Sequence, residues 1–108
     1  MREWSGEDLW RRMQEGTAPR IIDVREPVEY YEHGHIPGAE LIPMGEIPAA
    51  LGRISKHEEI VFVCRSGSRS GYVCQFLQGL GYERVINLAG GMIHWPGAVN
   101  YGPESEGA

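Results

Sequence analysis

Apolar residues follow two different spacings along this chain of 108 residues. Short runs of β-branched residues are typical of buried strands, whereas apolar residues three and four positions apart are typical of helices that cover a core. The predicted strands span residues 21–24, 39–42, 59–63 and 85–88, of which 59–63 is the strongest. The predicted helices span residues 5–15, 26–32 and 44–52, the stretch after residue 70 that ends at Gly81, and a short turn around 92–95.

Local signals set the ends of several of these elements. Ser5, followed three residues later by Asp8, resembles a helix capping box, and Pro27 fits the first turn of the second helix. Because strands alternate with helices, the pattern predicts an α/β fold with a central, mostly parallel sheet flanked by helices. We expect one domain at residues 1–97 and a flexible tail at residues 98–108, which are rich in Gly, Pro and Glu.

The charge distribution narrows the range of ligands. The net charge of −5 argues against a nucleic acid or an acidic membrane as partner. Residues 60–82, however, contain Arg65 and Arg69 and no acidic residue. A small cationic spot on an acidic protein favours a small anionic ligand.

The expected location follows from what the sequence lacks. No apolar run approaches the length of a membrane-spanning helix, and residues 1–8 have no apolar signal core. Two cysteines without a secretory signal indicate a reducing compartment. We therefore expect a cytoplasmic protein.

The candidate site is the polar loop that follows the strongest strand and precedes the longest helix. In open α/β sheets, ligands bind at this carboxyl end of the strands. A strand-to-helix loop can point successive amides into one hollow, and the helix adds its own free N–H groups. We expect these amides to stabilise a Cys64 thiolate and the two arginines to attract the substrate anion. The candidate catalytic residue is Cys64, and the candidate substrate-binding residues are Arg65, Ser66, Gly67, Ser68, Arg69 and Ser70.

Cysteines can also serve as core residues, disulfide partners or metal ligands. A cysteine at a strand end is often only a small buried hydrophobe, but Cys64 opens a polar loop that carries two arginines. Cys74 lies inside a predicted helix between apolar residues, which favours core packing. Its position in that helix argues against a disulfide with Cys64, and the spacing of the two cysteines does not fit a zinc site. The pair His33 and His35 is only a weak metal signal.

Four motifs in order resemble those of the rhodanese domain, over residues 4–95. The first is residues 22–26 with Glu29 and Tyr30, and the second is residues 34–39. The third is the active loop, residues 63–70, and the fourth combines Leu88, residues 90–91 and Trp95. Four motifs at ordinary spacing carry more weight than any one of them.

The resemblance implies a sulfurtransferase that works by a ping-pong reaction. Cys64 would take the outer sulfur of a small anionic donor such as thiosulfate, hold it as a persulfide, and pass it to cyanide, a thiol or a thioredoxin-like protein. No metal and no organic cofactor are implied. Two alternatives remain open: a persulfide carrier that a partner protein loads, and a regulatory binding module, although such modules typically lack the cysteine.

The spacing within the loop distinguishes this family from related phosphatases. Cys64 and Arg69 stand in a Cys-x4-Arg arrangement, whereas the phosphatases have one more residue, which widens the hollow for a phosphate. Among the other motif residues, Asp23 is expected to contact the loop or a neighbouring amide, and Arg25 to pair with Glu29. His35 is expected to shape a turn, with a role as general base as the weaker alternative, and Trp95 to pack in the core.

Overall fold

The computed structural model describes residues 1–103 of the chain. Three α-helices flank a parallel sheet in this part of the molecule: α1 (Gly6–Glu15), α2 (Pro27–Glu32) and α3 (Ser68–Gly79). The sheet contains β1 (Arg2–Trp4), β2 (Arg20–Asp23), β3 (Glu40–Leu41), β4 (Ile60–Val63) and β5 (Val85–Leu88). Three short 3-10 segments complete the fold: Met44–Glu46, Pro48–Arg53 and Gly91–His94.

The sheet has the strand order β1-β5-β4-β2-β3, and every pair of neighbouring strands is parallel. The central strand β4 is buried on both faces, so its alternate side chains feed two separate core layers. Ile60 and Phe62 point into one layer with α3, and Val61 and Val63 into the other with Leu9 of α1. Because all strands run the same way, their carboxyl ends lie along one edge, where the loop after β4 begins.

The predicted α/β class, the parallel sheet and its main strands are confirmed. Ser5 caps α1 as predicted, since its hydroxyl accepts a hydrogen bond from the Asp8 amide at 3.1 Å. Residues 44–52 form two 3-10 turns instead of one helix. Pro48, the first residue of the second turn, has no N–H to donate to a continuous helical ladder.

Two features of the fold were not predicted. β1 was missed because it pairs with β5 through backbone groups, while the side chains of Arg2 and Glu3 are exposed. α3 begins at Ser68, inside the segment that was predicted to be loop. Of the apolar residues in this helix, Val73 and Leu77 are buried, whereas Tyr72 and Phe76 are exposed.

The start of the predicted tail contacts the domain within the described residues. His35 and Asn100 exchange two backbone hydrogen bonds, each of 2.9 Å. Residues 104–108 lie outside the described part of the chain, and the flexibility of 98–108 stays a prediction. Among residues 1–103, no helix combines the length and apolar character that crossing a bilayer requires.

Candidate active site

The loop after β4 is held in place from outside by the segment after β5. The amides of Met92 and Ile93 donate hydrogen bonds of 3.0 Å to the carbonyls of Cys64 and Arg65. This contact requires glycine at position 91: φ there is +57°, and an added Cβ would lie 2.4 Å from the Cys64 carbonyl oxygen. With these two carbonyls turned outward, the amides that follow them in the loop are free to face inward.

Hydrogen-bond donors converge on the sulfur of Cys64. The Gly67 amide lies 3.1 Å from Sγ, the Ser70 amide 3.4 Å and the Ser70 hydroxyl 3.3 Å. Gly67 adopts φ of +101°, which lets the chain turn into α3 while its own N–H points at the sulfur. The geometry therefore matches the nest that the sequence predicted.

These donors lower the pKa of Cys64 below the ordinary thiol value. Burial of the sulfur is the largest single effect and acts in the opposite direction, but the donors together outweigh it. Among them the Ser70 hydroxyl contributes most, followed by the amides of Ser70, Gly67 and Ser66. The sequence predicted a leading role for the amides and a substrate contact for Ser70, whereas Ser70 is fully buried against the sulfur.

Arg69 is engaged by an acidic partner. Its two terminal nitrogens donate hydrogen bonds of 2.8 Å to the two carboxylate oxygens of Glu29 on α2. This fork is the main reason that the pKa of Glu29 falls to about 2, and it raises the pKa of Arg69. The guanidinium that was predicted to bind a substrate anion thus links the loop to α2.

The predicted ion pair between Arg25 and Glu29 is wrong. Arg25 is buried and binds the Asp23 carboxylate, with Nη2 2.8 Å from Oδ2, and the Gly34 carbonyl. Arg25 lies near enough to lower the pKa of Glu29 slightly, but the hydrogen bonds to Glu29 come from Arg69. Asp23 also accepts a 3.0 Å hydrogen bond from the Arg25 amide, which is one of the two contacts predicted for it.

The rim of the hollow is formed by Arg65, Ser66 and Ser68, all of which are exposed. The hydroxyls of Ser66 and Ser68 lie 3.3 Å apart. Within residues 1–103, Arg65 forms no ion pair, so its charge faces solvent. Its role in binding a substrate stays a prediction.

Asn87, near the end of β5, was not recognised as part of the site. Its Oδ1 faces the Ser70 hydroxyl at 2.5 Å, and its Nδ2 donates to the Gly67 carbonyl at 3.1 Å and to Glu3 at 3.0 Å. The available signal was a polar residue inside an otherwise apolar strand, since buried amides require partners.

The remaining motif residues serve the structure around the loop. The His35 ring is buried, stacks on Tyr30 at 3.6 Å between centroids, and has Nδ1 2.8 Å from the Tyr30 carbonyl. These contacts agree with its predicted role in a turn. Trp95 packs against the core and, edge to face, on Trp10, and Cys74 is fully buried in the core as predicted.

Burial has the opposite effect on the second cysteine. Within residues 1–103, no hydrogen bond to Cys74 offsets its loss of solvation, and burial raises the pKa of its thiol to about 12. Both cysteines are free thiols. Among the described residues, no three His, Cys, Asp or Glu side chains gather as metal ligands would.

Known proteins resemble this chain over nearly its whole length. A model of the rhodanese-like domain matches residues 5–98. A protein of Allochromatium vinosum named sulfurtransferase is 40% identical over 93 residues, which are 86% of this chain and 86% of the relative. Thiosulfate sulfurtransferase GlpE of Pseudoalteromonas translucida is 32% identical over 80 residues, 74% of this chain and 75% of the relative. The crystal structure of a rhodanese-like domain protein from Staphylococcus aureus, 33% identical, superposes with a TM-score of 0.86 and covers 95% of this chain and 100% of that one. The chain belongs to the rhodanese-like domain family.

Proposed function

We propose that this protein is a sulfurtransferase that carries a sulfane sulfur atom as a persulfide on Cys64. The observation that carries the proposal is the convergence of two amides and a hydroxyl on Sγ at the base of the loop. Such a hollow stabilises a sulfur anion, and the thiolate is the nucleophilic form of cysteine. Relatives that are named sulfurtransferases support the same activity.

With thiosulfate as donor, the reaction balances in two steps. The Cys64 thiolate attacks the outer sulfur, the S–S bond of thiosulfate breaks, and sulfite leaves with the bonding electron pair. An acceptor nucleophile then attacks the outer sulfur of the persulfide and regenerates the Cys64 thiolate. Cyanide yields thiocyanate in this step, and a thiolate yields a new persulfide. No separate general base is needed, because the hollow favours the thiolate before the donor binds.

The residues of the loop divide into two groups in this proposal. Gly67 and Ser70 hold the reacting sulfur, because their donors point at Sγ. Arg65, with the hydroxyls of Ser66 and Ser68, would hold the sulfonate end of thiosulfate at the exposed rim. Arg69 contributes indirectly, because its guanidinium is paired with Glu29.

The test is the intact mass of the reduced protein after incubation with thiosulfate. We expect a gain of one sulfur atom that is lost on adding cyanide and is absent in Cys64→Ser. Cys74→Ala is the matched control and should still gain the sulfur. A gain that persists in folded Cys64→Ser would contradict the assignment of the nucleophile.

A second candidate, a persulfide carrier loaded by a partner protein, is favoured by the outer face of α3. This face is defined by Tyr72, Phe76 and Leu80, whose side chains are 67%, 38% and 40% exposed. It borders a groove of about 190 Å³ that is also lined by Met44, Ile47 and Pro48. α3 follows the active loop directly, and Arg69 is its only charged residue. An apolar face without acidic groups, beside the reactive sulfur, fits a protein donor whose persulfide is surrounded by apolar and acidic side chains.

Comparing two donors distinguishes the candidates. Tyr72→Ser should slow loading from the persulfide of a cysteine desulfurase and leave loading from thiosulfate unchanged. Tyr101→Ser is the matched control, because Tyr101 is equally exposed at 65% but lies in the segment after the last 3-10 turn. Equal loading of all three proteins by the desulfurase would exclude this face as the docking site.

A further inference from the structure

A buried polar chain runs from Cys64 to the edge of the sheet. The Ser70 hydroxyl lies between Cys64 Sγ, at 3.3 Å, and Asn87 Oδ1, at 2.5 Å. Asn87 is 3% exposed, and its Nδ2 reaches the Gly67 carbonyl at 3.1 Å and the Glu3 carboxylate at 3.0 Å. Three elements therefore contribute to one chain of hydrogen bonds behind the sulfur: α3, β5 and β1.

The neighbours of Asn87 fix the orientation of its amide. The Gly67 carbonyl and the Glu3 carboxylate only accept hydrogen bonds, so the NH2 group has to face them. A flipped amide would place its oxygen against two acceptors. Oδ1 consequently faces Ser70 and accepts a hydrogen bond from its hydroxyl.

A serine hydroxyl has one proton but can accept two hydrogen bonds. While Cys64 is protonated, Ser70 can donate to Asn87 and accept from the thiol. Once the thiol ionises, Sγ and Asn87 Oδ1 require the same proton. A hydrogen bond from Ser70 to the thiolate then leaves a buried amide oxygen without its donor, which costs free energy.

We propose that Asn87 is a positioning residue for Cys64. By accepting a hydrogen bond from the Ser70 hydroxyl, Asn87 determines whether this hydroxyl acts as an acceptor or as a donor towards the sulfur. The proton turns to Sγ when the sulfur is a thiolate. It returns to Asn87 when Sγ carries no charge, as in a persulfide whose negative charge lies on the outer sulfur. The inference goes beyond the proposed function, because it concerns the thiol itself and holds for any sulfur donor.

Several ionisable groups lie on the elements around the loop. They are Glu3 of β1, Asp23 and Arg25 at the end of β2, Glu29 of α2, Arg65 and Arg69 of the loop and α3, and His94 beside Gly90. The test must hold all of them constant. Neutral substitutions at positions 70 and 87 leave all of these charged groups in place, and the lost hydrogen bond from Asn87 to Glu3 is the same with serine or alanine at position 70.

The experiment measures the alkylation rate of Cys64 by iodoacetamide as a function of pH, followed at the level of the Cys64 peptide. The chains compared are wild type, Ser70→Ala, Asn87→Leu and the double variant. Leucine has the same number of side-chain heavy atoms and the same branching as asparagine, but it cannot accept a hydrogen bond. Below the midpoint of the profile, Asn87→Leu should react about fivefold faster than wild type, which is the factor that one net hydrogen bond of about 1 kcal/mol provides. In the Ser70→Ala background the same substitution should have little effect.

The difference between the two backgrounds separates this role from a merely structural one. Loss of the Nδ2 bond to Gly67 perturbs the loop in both backgrounds, whereas competition for the hydroxyl proton exists only where Ser70 is present. An equal effect in both backgrounds, or slower alkylation only with Ser70, would overturn the proposal. Asn87→Ala repeats the comparison if leucine prevents folding, and alkylation is measured only on variants that keep the wild-type circular dichroism. Failure of sulfur loading from thiosulfate would leave this result unaffected.

Discussion

The two cysteines show that burial alone does not decide the reactivity of a thiol. Cys64 and Cys74 both have no exposed surface. Burial disfavours the thiolate at both positions, but only at Cys64 do hydrogen-bond donors reverse the effect. The pKa of Cys64 is lowered, and that of Cys74 is raised to about 12.

This contrast predicts selective alkylation of the native protein. Iodoacetamide near neutral pH should modify Cys64, whose thiolate the loop favours, and leave Cys74 unmodified. Peptide mass spectrometry before and after unfolding in guanidinium measures both sites in one sample. Cys74 should react only after unfolding, and comparable native rates for the two thiols would contradict the prediction.

At the scale of elements, the site depends on contacts between segments that are distant in the sequence. The segment Gly91–His94 holds the loop from outside, and α2 holds it through the pair of Glu29 with Arg69. Each contact can be disrupted by a single substitution, Gly91→Ala for the first and Glu29→Gln for the second.

Gly91→Ala should displace the loop and impair sulfur loading. The new Cβ would lie 2.4 Å from the Cys64 carbonyl oxygen and 2.5 Å from that of Arg65, so the backbone of the loop has to shift. Gly16→Ala is the matched control, since Gly16 has φ of +75° but no atom of the described residues within 4 Å of an added Cβ. Both variants incur the conformational cost of about 1 kcal/mol for a left-handed alanine, measured as the loss of unfolding free energy in urea. Only Gly91→Ala should lose more unfolding free energy than this and also fail to form the persulfide. Equal behaviour of the two variants would contradict the prediction.

The pair of Glu29 with Arg69 should make stability depend on acid. Hydrogen bonds from Arg69 lower the pKa of Glu29 from 4.5 to about 2, so the folded state holds this carboxylate ionised more strongly than the unfolded chain does. The stabilisation is present above pH 4.5 and is lost as the pH falls towards 2. The difference in unfolding free energy between wild type and Glu29→Gln should shrink over that window. Arg69→Gln should remove the same dependence, whereas a difference that is constant with pH would exclude the pair as its source.

Some of these features could be predicted from the sequence and others could not, for physical reasons. β4 and β5 could be predicted because strands buried on both faces require consecutive apolar residues. The position of Cys64 followed from the order strand, loop, helix. The partners of the loop could not be predicted, because Glu29 and Asn87 meet it across 40 and 17 residues, and no local spacing encodes such contacts. An arginine near an acidic residue in sequence suggested the wrong pair, since only the fold decides that Arg25 binds Asp23 and that Glu29 receives Arg69.

At the scale of the whole molecule, the net charge and the local charge at the loop act on an anionic donor in opposite directions. The net charge of −5 repels thiosulfate at long range. Arg65 attracts it at the entrance, and the neighbouring Arg69 is largely neutralised by Glu29. Two unit charges about 4 Å apart interact by about 1 kcal/mol even in water, and the interaction is screened beyond about 8 Å at physiological salt.

Arg65→Ala should therefore lower kcat/KM for thiosulfate about fivefold, mainly through KM, and should reverse the response to salt. In wild type the local attraction dominates, so kcat/KM should fall as sodium chloride is added. In the variant only the repulsion by the net charge remains, and kcat/KM should rise. Arg84→Ala is the matched control, because it removes the same charge just before β5, at the opposite edge of the sheet. If the two variants respond to salt alike, only the net charge matters, and Arg65 does not contact the donor.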